Sequence, residues 1–415
     1  MRKPIILIPE KLHILRERKN QTIRTNREEY NIYFENLLFP YLPDYDVQIN
    51  CKYGRNLGNC WRLDEFPDVD EFRLGIEIYD SFTGELLAEK EVSLTLHESR
   101  QNEKPFTLLP IGDSMTQSEI YLEHIAMKLR NLSFVGTRSF NGIVRHEGRG
   151  GWASSTYFEN SGNRWGMSPF LFPDGIEPED YYGYLDFMEK AGCEVNPDTY
   201  VYDGYTHEDI SGRVYLKDSK LFRRSADGEI IVDESPRFRF DFGAYMRRYR
   251  IKKPDAVSIL LGCNDLASTG RYDNFEEILE RLVENLKAMA DSIRSAIPDV
   301  KLLIMTPIFG GSQYAWGQSR ACGGSSAMYR HIISHTIKRL IDEFGSREED
   351  GYFIVPSHLT IDPVYGYKNE TRRANIYSEH QIFVNTDGIH PNPAGYRQMG
   401  DALAGVIEKI RGESI

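Results

Sequence analysis

Residues 106–126 read "FTLLPIGDSMTQSEIYLEHIA", and this stretch decides the fold. An apolar run at 106–111 stops at Gly112, and Leu122, Ile125, Ala126 and Leu129 then repeat at helical spacing. A short apolar run bounded by a turn signal predicts a buried strand, and the change of period predicts that a helix follows it. The same alternation recurs downstream. Apolar runs at 132–136, 256–262, 301–307 and 352–357 predict four more strands. Between them, Ile278, Leu282, Leu286, Ile293 and Ile297 mark one helical face, in a helix capped by Asn274. Ile333, Ile337, Leu340, Ile341 and Phe344 mark another, and Tyr396, Met399, Leu403, Val406 and Ile410 a last one. Strand and helix in alternation predict an α/β fold with a parallel sheet at its centre and helices on both faces. In such sheets the functional site lies at the carboxyl ends of the strands.

Upstream the period is different. Phe72, Leu74, Ile76 and Ile78 alternate, the turn SFTGE follows, and Val92, Leu94 and Leu96 alternate again, which predicts a hairpin. Residues 1–105 are therefore expected to form a small β-sandwich domain, joined by a polar linker at 97–105 to a second domain at 106–415. Within the latter, residues 155–240 show no sustained helical period and read as a large insertion. Ten of the 25 tyrosines fall between Tyr157 and Tyr249.

Composition narrows the function classes. A formal charge of −12 disfavours a polyanionic partner, so nucleic acid is not expected. No run of about 18 apolar residues occurs, and no membrane span is expected. The N-terminal stretch makes a poor leader, so a cytoplasmic location is the expectation, with secretion if a leader has been removed. Cys51, Cys60, Cys193, Cys263 and Cys322 are odd in number and lack metal-type spacing. Only Cys51 and Cys60 are close enough in sequence for a local bridge.

Chemistry gathers at the predicted strand ends. Ser114 follows the first strand, where the start of a helix favours developing negative charge and suits a nucleophile. An N-cap serine is the plain alternative. A serine nucleophile needs a base and a group that orients it. "TDGIHPNPAGY" offers both, with Asp387 and His390 three residues apart in a turn. "HEGRGGWASS" at 146–155 is a glycine-rich loop whose N–H groups can face an oxyanion, and "LLGCNDLAS" puts Asn264 just after a strand. Taken singly, each is also ordinary turn chemistry.

Together and in this order, "IGDSMTQS", "GRGGW", "LLGCND" and "TDGIHPNPAGY" resemble the four blocks of the SGNH hydrolase superfamily, also called GDSL esterases. Met115 and Thr116 depart from the name-giving pattern without touching a proposed role. The resemblance implies an SGNH hydrolase domain of three-layer α/β/α, flavodoxin-like fold, with Ser114 as nucleophile, His390 as base and Asp387 as its orienter. It also implies an oxyanion hole made by the backbone N–H groups of Ser114 and Gly151 and the side chain of Asn264. The G-x-S-x-G elbow of the α/β-hydrolases is absent around Ser114.

The expected substrate is a small-molecule or oligosaccharide ester, by resemblance to two-domain carbohydrate acetylesterases. A short-chain esterase, thioesterase or lipase is the alternative, and a non-catalytic carbohydrate-binding protein is one of another class. Trp152 is expected to wall the pocket. Trp165, Tyr181, Tyr182, Tyr184 and Tyr205 either stack on sugars or build the core of the insertion. His331 and His335 lie one helical turn apart without a third ligand, so no metal is expected, and no cofactor. "ACGGSS" at 321–326 lacks the lysine of a phosphate loop. Asp113 and Asp265 read as turn acids. An oligomer is possible on sequence grounds.

Overall fold

The computed structural model describes residues 3–16, 29–98, 104–159, 168–182, 214–217, 220–225, 227–267, 275–320 and 324–413. Four N-terminal strands, β1 (Lys11–Arg16), β2 (Tyr45–Asn50), β3 (Glu71–Asp80) and β4 (Leu86–Glu98), form a sheet in the order β1-β4-β3-β2. The predicted hairpin is β3–β4, and the Asp80 carboxylate caps its turn by accepting the N–H groups of Phe82 and Thr83 at 2.8 and 2.9 Å. A second small sheet, built from Tyr30–Tyr33, Arg55–Asn56 and Cys60–Leu63, shares one apolar cluster with it, where Ile32, Trp61, Leu74, Ile76 and Val92 are buried. Strand β4 runs on to Glu98, two residues into the stretch expected as linker, and residues 99–103 lie outside the described ones. Cys51 and Cys60 are both free thiols, so the local bridge that their spacing allowed is not made.

The parallel sheet follows. Its strands are β5 (Phe106–Gly112), β6 (Leu132–Phe134), β7 (Glu147–Gly148), β8 (Ala256–Leu260), β9 (Lys301–Met305) and β10 (Tyr352–Val355). The order is β6-β5-β8-β9-β10, with β7 pairing beside the end of β5. Apolar runs form these strands because both faces are covered. Leu109, Ile111, Val257, Ile259, Leu302 and Ile304 turn to one core, whereas Leu108, Leu260, Leu303 and Met305 turn to the other.

Helices cover the two faces. After β5 come α1 (Ser114–Gln117) and α2 (Ile120–Lys128); after β8 come α3 (Cys263–Ala267) and α4 (Phe275–Ala296). After β9 come α5 (Gln313–Arg320) and α6 (Ser326–Phe344), and α7 (Pro393–Glu413) ends the fold. Helix α4 packs on the first core and helices α2 and α7 on the second. Asn274, expected to cap α4, lies outside the described residues.

A hairpin of β11 (Asn369–Arg373) and β12 (Gln381–Asn385) precedes α7. The described part of the insertion joins the first core through Tyr157, Phe170, Phe172 and Tyr181. Phe170 meets Phe240 and Tyr245 with ring centroids 5.0 and 4.6 Å apart. Tyr181 is thus a core residue rather than a stacking platform. Trp165, Tyr184, Tyr205 and the side chain of Tyr182 lie outside the described residues.

Candidate active site

Strand β5 ends against β8, and the chain leaves the sheet in opposite directions from these two strands. That reversal is the switch point at which ligands bind in open α/β sheets. Gly112 closes β5 because a side chain is impossible there: a Cβ would stand 2.1 Å from Thr116 Oγ1 and 2.9 Å from Leu260 O. The next two residues start α1. Asp113, not Ser114, is its N-cap, accepting the Met115 N–H at 2.9 Å. Ser114 is left with its hydroxyl free of capping duty. Helix α1 is a single turn of four residues, and Glu119, at φ 62°, breaks the path before α2. A helix dipole at Ser114 is correspondingly slight, and individual N–H groups carry the local field.

His390 Nε2 lies 2.9 Å from Ser114 Oγ. The Asp387 carboxylate explains how three residues of spacing can serve a base. Asp387 Oδ1 accepts the backbone N–H groups of Ile389 and His390 at 2.9 and 2.8 Å, which folds the turn, and the same oxygen stands 3.4 Å from His390 Nδ1. Partial burial pushes the Asp387 carboxyl up, but the His390 ring and the two backbone donors outweigh it and hold the group well below the usual carboxylate range. Lys368 Nζ stands 3.7 Å from Asp387 Oδ2 and adds positive charge to the same group.

This turn is seated on the loop after β9. Gly311 N–H donates to Gly388 O at 3.0 Å, and Gly310 N–H donates to the buried Tyr367 hydroxyl at 2.9 Å. A Cβ on Gly310 would stand 2.2 Å from Gly388 O, and one on Gly311 2.5 Å from Asp387 O. Sequence reading passed over this Gly310-Gly311 pair. Its signal was there, in two glycines directly after an apolar strand, but glycines after strands also mark simple turns.

The other candidates divide. Gly151 is exposed at φ +78° with nothing within 4 Å of a notional Cβ. Asn264 Nδ2 donates to Trp152 O at 3.1 Å and stands 3.3 Å from Asp113 Oδ2, so both amide hydrogens face protein acceptors. An oxyanion would have to take one of them over. Trp152 departs from expectation. Its ring is fully enclosed in the first core, edge-on to Tyr157 at 4.9 Å, so only its carbonyl turns toward the site. It is no pocket wall, because the chain turns at exposed Gly151, φ +78°, and brings the following aromatic down into the sheet's apolar face.

Beneath the glycine loop lies a buried polar network that sequence reading did not single out. Glu147 and Arg149 are completely buried and paired at 2.8 Å. Glu147 also accepts from Thr137 N and Tyr245 Oη at 2.6 and 2.7 Å. Tyr157 Oη donates to Gly112 O at 2.8 Å, which ties the network to the end of β5. Gln117 Oε1 accepts the Gly150 N–H. Asp265, expected as a turn acid, is buried and instead accepts Ser154 N at 2.9 Å across 111 residues of sequence, which ties α3 to the end of the glycine loop. His331 and His335 have ring centroids 4.3 Å apart, edge-on to Phe39 and Phe275, and no metal-holding cluster occurs among the described residues.

Residues 201–403 match the family model described as GDSL-like Lipase/Acylhydrolase. The match covers just under half of the chain. The matched span holds Asn264, Asp387 and His390, whereas Ser114 and Gly151 precede it. A multidomain esterase from Ruminococcus flavefaciens is 25% identical over 170 residues, 41% of this chain and 17% of that protein. The chain therefore spans only a small part of the length of the curated relative it matches. Solved structures similar to this one include a carbohydrate esterase family 3 from Talaromyces cellulolyticus, at 13% identity and a TM-score of 0.36, over 74% of this chain and 99% of that one. A family 3 carbohydrate esterase from Clostridium thermocellum matches at 13% identity and a TM-score of 0.35, over 75% of this chain and 100% of that one. No helix among the described residues is long and apolar enough to cross a membrane.

Proposed function

We propose that this chain belongs to the GDSL-like lipase/acylhydrolase family and is a serine esterase that removes short acyl groups, acetyl above all, from carbohydrate esters. The observation that supports this most is the alignment of Ser114 Oγ, His390 and Asp387, with contacts of 2.9 and 3.4 Å at the switch point of the sheet. Ser114 Oγ attacks the ester carbonyl while its proton passes to His390 Nε2. Asp387, held ionised by its donors, keeps the opposite ring nitrogen protonated and stabilises the imidazolium that forms. The tetrahedral oxyanion is received by the N–H groups of Ser114 and Gly151 and by the amide of Asn264. His390 then returns the proton to the leaving alcohol, and water repeats the sequence on the acyl-serine.

The match to a multidomain esterase is consistent with an ester as substrate. A chromogenic acetate and an acetylated oligosaccharide test the proposal together. Ser114→Ala should abolish turnover on both, and Asn264→Ala should lower it by about 10²–10³, the usual effect of losing one oxyanion donor. Wild-type-like rates in Ser114→Ala would refute the proposal. Hydrolysis of the chromogenic ester without release of acetate from any sugar would leave an esterase of another substrate class.

A further inference from the structure

Hairpin β11–β12 contributes no side chain to the candidate triad, yet it stands directly before Asp387 in the chain and ends two residues short of it. A cavity of about 450 Å³ opens between this hairpin and α5, lined by Tyr314, Arg372, Arg373, Asn375, Ile376 and Ile382. That volume lies within the range of small-molecule sites.

We infer that this cavity is a saccharide subsite that holds the part of the substrate beyond the esterified sugar; the inference rests on the carbohydrate esterase reading above. Three observations carry it. First, the walls combine an apolar platform with donors. Ile376 and Ile382 face the cavity beside the Tyr314 ring, over which the Arg372 guanidinium lies at 5.3 Å. A sugar ring has the matching form, an apolar C–H face with hydroxyls around its edge.

Second, the charge is already balanced. Arg372 is 2.9 Å from Glu370 and Arg373 is 3.8 Å from Glu379. The arginines keep further N–H groups for hydroxyl acceptors without presenting an unpaired positive charge, which favours a neutral glycan over a polyanion. Third, the cavity is stitched to the reacting end. Ser312 N–H donates to Asn385 Oδ1 at 3.2 Å, and Gly311 N–H to Gly388 O at 3.0 Å. Tyr314 follows Gly311 by three residues, so their Cα atoms are at most about 11 Å apart. A chain of sugar units bound here extends toward the Asp387–His390 turn.

The test compares acetylated xylose with acetylated xylo-oligosaccharides of increasing length. In the wild-type protein, kcat/KM should rise with length. Tyr314→Ala and Arg372→Ala should each lower the ratio of long to short substrate by about tenfold, carried by KM, as expected for truncating an aromatic or stacked contact. Tyr314→Phe should restore most of the ratio, which separates loss of the ring from loss of the fold. In parallel, titrating Ser114→Ala with unacetylated xylo-oligosaccharides should give binding that disappears on adding Tyr314→Ala.

Sugar deacetylation without length dependence, or an equal fall on short and long substrates, would overturn the subsite and leave the esterase reading standing. Failure to hydrolyse any acetyl ester would overturn the esterase reading, while the titration still decides whether the cavity binds a saccharide. If sedimentation shows a dimer that Ile376→Ser dissolves, a second copy of the chain occupies this face and the subsite is wrong.

Discussion

Asp113 shows how much one side chain can join. It caps α1 by accepting the Met115 N–H, and it stands 3.3 Å from the amide nitrogen of Asn264. Burial pushes its carboxyl from 3.8 up to about 7, against the Met115 N–H and His390, with Asp265 adding to the rise. The folded protein therefore holds this proton more tightly than the unfolded chain does. That stabilisation is complete below about pH 4 and is lost as the pH rises to about 7. Asp113→Asn carries no such proton, so its stability relative to wild type should improve steadily across this window, as read by urea unfolding at several pH values. A constant difference would show that Asp113 does not titrate there.

Gly310 makes a second prediction at this scale. With φ +76° and Gly388 O only 2.2 Å from a notional Cβ, Gly310→Ala should displace the Asp387–His390 turn and lower kcat on a small acetate ester far more than it raises KM. The candidates Ser114, Asp387 and His390 were legible because each block has an ordered spacing of distinctive residues. The occupied amide of Asn264 and the inward ring of Trp152 were not. Both depend on how the glycine loop folds back, which no local spacing encodes.

At the scale of elements, the sheet was legible because strands covered on both faces are nearly continuous apolar runs, and those at 106–112, 256–260, 301–305 and 352–355 are broken in polarity only by Thr107, Ser258 and Lys301. Hairpin β11–β12 was not. Asn369–Arg373 is exposed along its whole length and carries no apolar alternation, so nothing in its composition marks a strand. The network under the glycine loop was hidden for a related reason. "HEGRGGW" looks like a polar surface loop, whereas His146, Glu147 and Arg149 are all fully buried. Removing one member of such a pair leaves a buried charge short of its partner. Glu147→Ala should therefore destabilise the protein by about 3–5 kcal/mol in equilibrium unfolding. A change under about 1 kcal/mol would mean that solvent replaces the carboxylate without strain.

At the scale of the molecule, the N-terminal strands and the parallel-sheet part are joined by two buried bonds and a part-buried one. His358 Nε2 lies 2.8 Å from Leu7 O, Asn36 Nδ2 donates to His358 O at 2.9 Å, and His13 Nε2 stands 3.0 Å from Glu348 Oε1. Helix α7 meets β1 so closely that a Cβ on Gly405 would stand 2.0 Å from His13 O. Gly405→Ala should therefore part this contact and lower Tm by several degrees, and a chain starting at residue 106 should expose the face of α7 and aggregate. Equal thermal stability of the shortened chain would contradict this. The sequence showed two patterns of periodicity, but the surface between them is a matter of which helix face meets which strand.

The central claim is that Ser114 is the nucleophile, made reactive by His390 and Asp387. It is tested most directly by quenching the protein during turnover of an acetyl ester and mapping its peptides by mass. One acetyl group should form on Ser114 before steady state and be absent in His390→Ala. Acetyl on another residue, or steady turnover with no covalent adduct at all, would contradict it.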